Sequence, residues 1–333
     1  MKNKKGISLI VLIITIIVVI ILAAVVVLTL SKNNPIESAK EARFKEDIRT
    51  FQDELALYIS KQYANAGGQW DGSISAKSFD DMIKYIPSFS KKYEGKFIIN
   101  QNNLEYTSKL NDNEKDYAHS LNVKERLLPI EYQQVEYIES TGTQWINTKT
   151  NNIFKIDTIA ERISGSNLIT SESSGGSAIC IRANWYNNNY YFRGSWNSSN
   201  LLELETITLD TKEKRVISLD LINKQLIWGE QKFELKQIGE NLSKTNTIPA
   251  YIFARNYGGN ADGCASWKVY GYLKLFDSNG KILKFFIPCY STTTVTDVDG
   301  VQVPANTKGM YDTVEGKFYT NQGTGDFIAG PEV

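Results

Sequence analysis

The stretch SWKVYGYLKLFDSNGKILKFFIPCY, residues 266–290, alternates with a period of two. One side of its first half carries Trp267, Val269, Gly271, Leu273 and Leu275, and the other carries Lys268, Tyr270, Tyr272, Lys274 and Phe276. Successive side chains of a strand point to opposite faces, so this is a strand with one apolar face. Ser278-Asn279-Gly280 supplies a turn, and the chain returns as a second strand. The same texture runs from Pro129 to the end. VISLDLINKQLIWGEQKFEL (216–235) turns at Asn223-Lys224 and Gly229-Glu230, TTTVTDVDGVQVPA (292–305) at Asp299-Gly300, and GMYDTVEGKFYTN (309–321) at Glu315-Gly316. Many short antiparallel strands at this spacing predict an all-β sandwich of jelly-roll type over 129–333.

Toward the N-terminus the period changes to that of a helix. Over residues 31–66 apolar residues recur at Phe44, Ile48, Phe51, Leu55 and Tyr58, spacings that place them on one helical stripe. Asn34 is placed to cap, Pro35 suits the first helical position, and Gly67-Gly68 ends the run. The stripe is short for a coiled coil and is expected to pack on the adjoining domain. Residues 67–128 read as a small mixed α/β unit. SFDDMIKYIP (78–87) and NDNEKDYAHSL (111–121) are expected to be short helices, and FIINQNNLEYT (97–107) a hairpin around Gln101-Asn102-Asn103. The whole is therefore an α+β chain: N-terminal helix, small mixed unit, large β-sandwich.

At the start stands MKNKKG, and an uncharged apolar run then extends from Ile7 to Leu30. As a helix at ~1.5 Å per residue this run is roughly 36 Å long, enough to cross a hydrocarbon core of ~30 Å. A secretory signal has a shorter apolar region, about 7–15 residues. Lys2, Lys4 and Lys5 hold their end in the cytoplasm by the positive-inside bias, which puts the chain beyond Ser31 outside the cell. On these residues alone the run is an uncleaved anchor in the lipid bilayer, single-pass.

Composition narrows the function. The 333 residues carry 37 basic and 37 acidic side chains, with no clustered positive surface beyond the N-terminus, which argues against nucleic acid as a partner. One histidine, His119, and three cysteines, Cys180, Cys264 and Cys289, remove most zinc sites and the Ser-His-Asp and Cys-His mechanisms. His119 has no partner at ligand spacing. The cysteines fit reduced strand positions; a Cys180–Cys264 or Cys264–Cys289 bridge is the alternative, and spacing does not choose between them. The balance is against an enzyme.

Two stretches resemble known families. KKGISLIVLIITIIVVIILAA, with basic residues, Gly6 and then an immediate apolar helix, resembles the N-terminus of type IV prepilins and the related pseudopilins. The resemblance implies that a prepilin peptidase cuts between Gly6 and Ile7, the new terminus is methylated, and the apolar helix is kept as anchor and filament core among pilin-like subunits. It divides the chain into a leader at 1–6, a transmembrane helix at 7–30 and a stalk helix at 31–66. The family places Glu at the fifth residue after the cut, where this chain has Val11. A buried carboxylate is retained there to pair with a neighbouring subunit's amine, so its absence implies a minor or tip subunit. In the C-terminal part, LPIEYQQVEYIESTGTQWINT (128–148) and GMYDTVEGKFYTNQGTGDFIAG (309–330) look like the opening and closing strands of a module of Gram-positive surface and phage proteins. ISLDLINKQLIWGEQKF (217–233) and YIFARN (251–256) resemble central strands of laminin G-like and concanavalin A-like sandwiches. Such sandwiches bind glycans or proteins, and some hydrolyse polysaccharides.

Sandwich glycosidases carry a tight Glu-x-Asp-x-x-Glu strand, which is missing; Glu203-Leu204-Glu205 is read as a solvated β-edge. For binding, NWYNNNYYFRGSWN (184–197) stands out. Trp185, Tyr186, Tyr190 and Trp196 offer flat faces for sugar rings, and Asn187, Asn188 and Asn189 offer polar contacts. The alternative is a hairpin with some rings in the core. Tyr270 and Tyr272, beside Arg255 and Asn256 if YIFARN pairs with their strand, form a second candidate, with packing against a covering loop as the commoner explanation. Asp297-Val298-Asp299-Gly300 has no Glu at calcium-loop distance and reads as a hairpin turn. No cofactor or metal is expected from motifs, and calcium held by dispersed oxygens leaves no sequence pattern. The expected protein is an adhesive or recognition protein of the cell surface or pilus that takes a glycan or protein ligand; the alternatives are a structural pilus or secretion-system pseudopilin subunit without ligand binding and a polysaccharide-acting hydrolase.

Overall fold

The computed structural model describes residues 13–22, 35–70, 72–172, 178–183, 189–197, 200–208, 213–239 and 248–333. It is an α+β chain that divides after Arg126 into two compact units. Residues 13–22 are helical, with large apolar side chains from 47 to 63 % exposed. Among the described residues no helix is long and apolar enough to cross a membrane. The rest of the Ile7–Leu30 run, Val11 and the expected Gly6–Ile7 cut lie outside the described residues.

In the first unit the helix Pro35–Asn65 buries the expected stripe. Phe44, Ile48, Phe51 and Leu55 are buried against Tyr93, Phe97, Ile99 and Leu104 of the same unit, and Tyr58 packs at the margin. Burying an apolar side chain of this size contributes about 1.5–3 kcal/mol, so the stripe is a major part of this small core. Gly67 and Gly68 stop the helix with positive φ, and the Gly68 N–H returns to the Tyr63 carbonyl. The helix Phe79–Tyr85 is capped by Ser78, and Asp112–Ser120 by Asn111, with Glu114 closing a capping box. Strands Phe97–Asn100 and Asn103–Tyr106 form the hairpin, turning through Gln101 and Asn102, both at positive φ. Lys124–Glu125 adds a parallel third strand. His119 is exposed in the last turn of its helix.

Among the described residues the second unit has two large sheets packed over a main core, with a small two-stranded sheet, Val295–Thr296 and Gln302–Val303, and a second buried cluster around Tyr132, Ile287 and Phe318. Among the described residues one sheet has eleven strands, with Ser266–Phe276 and Ile282–Ser291 at its centre, joined by the expected turn, where Gly280 has φ +78°. The other has nine strands, including Asn167–Glu172, Ala178–Ala183, Asn189–Asn197 and Asn200–Thr208. Ile169, Ile179, Ile181 and Phe192 of the nine-stranded sheet meet Ile156, Ile217, Trp267, Val269, Leu273 and Phe286 of the eleven-stranded sheet in one buried cluster. Of the apolar face read from 266–276, Trp267, Val269, Leu273 and Leu275 point into this core, while Gly271, at φ +60°, lies where the strand's register shifts. The turns expected at Asn223-Lys224, Gly229-Glu230, Asp299-Gly300 and Glu315-Gly316 each link adjacent antiparallel strands. Among the described strands of these two sheets pairing is antiparallel except at Arg255–Tyr257, which runs parallel to Asn167–Glu172.

Candidate functional site

The core fixes which residues of the nine-stranded sheet face outward. Ile169, Ile181 and Phe192 are cross-strand partners and point inward, so the next row along each strand points away from the core. That row runs Asp262, Arg255, Thr170, Cys180, Arg193 in unbroken register across five strands. Glu172 and Tyr257 lie one step along on the same face, as register partners.

Two guanidinium groups on this face, those of Arg193 and Arg255, are incompletely matched. Arg255 Nε and Arg182 Nη1 each lie 3.6 Å from Glu172 Oε2, and Arg255 Nη2 lies 3.7 Å from Asp262 Oδ2. Those separations keep Coulomb attraction but exceed hydrogen-bond length. The Nε donors of Arg193 and Arg255 are buried and have no hydrogen-bond partner among the described residues. The Arg255 guanidinium stands 4.4 Å from the Tyr257 ring centre, and that ring is half-exposed. Beneath them Cys180 is buried. Burial pushes its thiol pKa up against the opposing pull of Arg182 and Arg193.

The structure separates the second sequence candidate. Arg255 belongs to the nine-stranded sheet, whereas Tyr270 and Tyr272 lie on the outer face of the eleven-stranded one. The pairing of YIFARN with their strand does not occur, because Arg255–Tyr257 pairs instead with Asn167–Glu172 and Asn260–Asp262. Asn256 is fully buried. Its Nδ2 donates to the Pro249 carbonyl at 2.7 Å and its Oδ1 accepts from the Gly259 N–H at 2.8 Å, so it shapes a loop. Tyr270 is 7 % exposed and donates to Glu161 Oε2 at 2.5 Å; Lys214 and Tyr137 cover its ring. Burial and then the Glu161 carboxylate push its phenol pKa well up. Tyr272 packs edge-on against Phe285, with Lys274 beside both rings.

Of the aromatic run, Trp185 and Tyr186 lie outside the described residues, as do Asn187 and Asn188. Tyr190 and Trp196 belong to the Asn189–Asn197 strand, and their side chains are likewise outside what is described. That strand lies between Ala178–Ala183 and Asn200–Thr208, so the run supplies Arg193 to the outer row. Sequence reading missed Arg182, Arg193 and Glu172. Their only signal is alternation within strands, and the partners that bring them together are remote in the chain.

In two other recesses several polar groups are already bonded within the protein. A groove of about 470 Å³ is bordered by Asn306, Lys308, Asn321 and Asp326, but Asn321 holds the Trp145 and Gly323 N–H groups and the Gly325 carbonyl. In the first unit a groove of about 510 Å³ lies beside Lys92 and Lys96, which pair with Asp47 and Glu114 at 2.7 Å. In the Asp297–Gly300 turn, Asp297 accepts from Asp299 and Val301 N–H groups and from Thr320, and Asp299 pairs with Lys149. Among the described residues no three His, Cys, Asp or Glu side chains group to hold a metal ion, and the three cysteines are free.

Fold and site define an α+β protein whose larger unit is a two-sheet β-sandwich with an arginine-bearing outer face. No protein-family model and no curated protein matches the chain.

Proposed function

We propose that this is a membrane-anchored, pilin-like surface protein whose β-sandwich, of the concanavalin A-like and laminin G-like jelly-roll kind, recognises glycans bearing acidic groups. The outer row of the nine-stranded sheet is the recognition surface. The observation that carries the reading is the Arg255 guanidinium, whose Nε has no hydrogen-bond partner among the described residues, beside the half-exposed Tyr257 ring, with a second such donor at Arg193 further along the same outer row. A carboxylate or sulfate completes arginine donors, and a flat ring stacks on a sugar face. The aromatic run at 184–197 enters the same sheet through its strand Asn189–Asn197.

The anchor rests on the sequence: three lysines, Gly6 and an uncharged run to Leu30. The apolar side chains exposed over 13–22 suit a helix surrounded by lipid or by other helices. Cleavage between Gly6 and Ile7 by a prepilin peptidase leaves that helix in place, outside the cell the sandwich meets its ligand, and Val11 assigns a minor or tip position in any filament.

The test is a binding screen of the detergent-solubilised full chain on acidic glycans, neutral glycans and cell-surface proteins. Retention on acidic glycans supports the reading. Binding to proteins alone, or to nothing, contradicts it.

A further inference from the structure

The eleven-stranded sheet buries a lysine and an aspartate together. Lys284 is 2 % exposed and Asp312 0 %. Both lie on the inward side of neighbouring strands: Phe286, two residues after Lys284, pairs in register with Asp312. Lys284 Nζ lies 3.2 Å from Asp312 Oδ2 and 2.5 Å from Glu315 Oε2, and it donates to the Tyr319 hydroxyl at 2.7 Å.

The two oxygens of Asp312 are treated differently. Oδ1 accepts the Phe285 N–H at 3.0 Å and the Val314 N–H at 3.1 Å. Oδ2 is buried and, among the described residues, has no hydrogen bond, only the ammonium at ion-pair distance. A carboxyl carbon with two backbone donors on one oxygen, an amine facing the other and a second carboxylate on that amine is arranged for acyl transfer.

We propose that Lys284 and Asp312 condense into an intramolecular amide that covalently joins the strands Ile282–Ser291 and Lys308–Asp312. Glu315 draws a proton from the ammonium and passes it to Asp312 Oδ2, and the freed electron pair on Nζ attacks Cγ of the neutral carboxyl, forming the C–N bond. Negative charge gathers on Oδ1, where the Phe285 and Val314 N–H groups meet it. Oδ2 receives the protons shed by Nζ, carried by Glu315, and departs as water when the C–Oδ2 bond breaks. Ammonium plus carboxylate become amide plus one water. Glu315 ends as it began, and no oxidant or further reactant enters.

Two effects set the balance of the step. Keeping a charged pair out of water carries a desolvation penalty, and the amide removes both charges at once. Burial favours the neutral amine, but Glu315 and Tyr319 outweigh it and hold the Lys284 pKa above the usual lysine value. The amine must therefore be deprotonated within the site, which makes Glu315 the required third member. Glu315 is half-exposed and gives the departing water a way out.

Mass spectrometry of the purified full chain tests this, with peptide mapping to separate it from any N-terminal trimming. The expected result is a loss of one water, mapped to a branched peptide that joins residues 284 and 312. Lys284→Arg and Glu315→Gln chains are expected at full mass over the same peptides. A wild-type chain with unjoined peptides overturns the proposal, and so does a Glu315→Gln chain that condenses as completely as wild type.

Discussion

Arg255 Nε and Glu172 Oε2 stand 3.6 Å apart, neighbours across a parallel strand pair, attracted by charge yet not joined by a hydrogen bond. Arg182 approaches the same oxygen at 3.6 Å, so one carboxylate serves two guanidinium groups. All three side chains are a little over a quarter exposed, where such pairs contribute about 0–1 kcal/mol. Glu172→Gln is therefore expected to lower stability by less than about 1 kcal/mol in urea denaturation. The same change is expected to strengthen binding of acidic glycans, because it removes a competing anion from both arginines. A weaker affinity in this variant would count against a guanidinium-based site.

The first unit depends on the buried stripe of its long helix. Ile48 is 0 % exposed at the centre of that core, and Ile48→Ala is expected to cost about 2–5 kcal/mol through lost burial and the cavity left behind. Equilibrium urea unfolding measures it. A loss below about 1 kcal/mol would mean that the helix contributes little to this core.

Acid sensitivity should reside partly at Asp47. Burial raises its pKa, but hydrogen bonds from Lys92 and from the Tyr93 hydroxyl, both at 2.7 Å, prevail and hold it below the usual aspartate value. A carboxylate depressed in the folded state adds stability above its unfolded pKa, about 3.9, and loses it as pH falls through the lower folded value. Stability measured from pH 5 downward should therefore fall less steeply in Asp47→Asn than in wild type. Parallel curves would remove Asp47 from the acid response.

At the alkaline end the sign reverses. Burial above all, with the Glu332 carboxylate adding at Tyr290, pushes the phenols of Tyr290 and Tyr319 up to about 12 from an ordinary 10.0. A group whose folded pKa is raised contributes stability in full below its unfolded pKa. That contribution disappears as pH rises from 10 to about 12. Phenolate absorbance should show tyrosines that ionise only above the ordinary range, together with falling stability over that window. Ionisation of every tyrosine near its ordinary value would contradict the buried environments described for these rings.

Local features were legible in the sequence because their causes are local. Period-two alternation with Gly280, Gly300 and Gly316 at positive φ gave strands and turns, and Asn111 with Glu114 gave a capped helix. Sheet membership was not legible. Arg255 is joined to Thr170 through a parallel pairing remote in the chain, and nothing near Arg255 distinguishes that partner from the Ser266–Phe276 strand. Alternation places Tyr270 on the outer face and suggests a covering segment there, but the side chains that cover it, Tyr137 and Lys214, come from distant segments that the local sequence does not name. Asn256 read as a ligand-facing amide and turned out to be a buried loop brace. Lys284 carried no signal at all, since a lysine in a strand is ordinarily a solvent residue and only the neighbouring strand reveals Asp312 opposite it.

Titration of an acidic oligosaccharide into the full chain tests whether the arginine-bearing row is the recognition surface. Wild type should bind, and affinity should fall as salt rises. Arg193→Ala together with Arg255→Ala should weaken binding at least tenfold, about 1.4 kcal/mol, with the fold retained by circular dichroism. Unchanged affinity in the folded double variant would contradict the account.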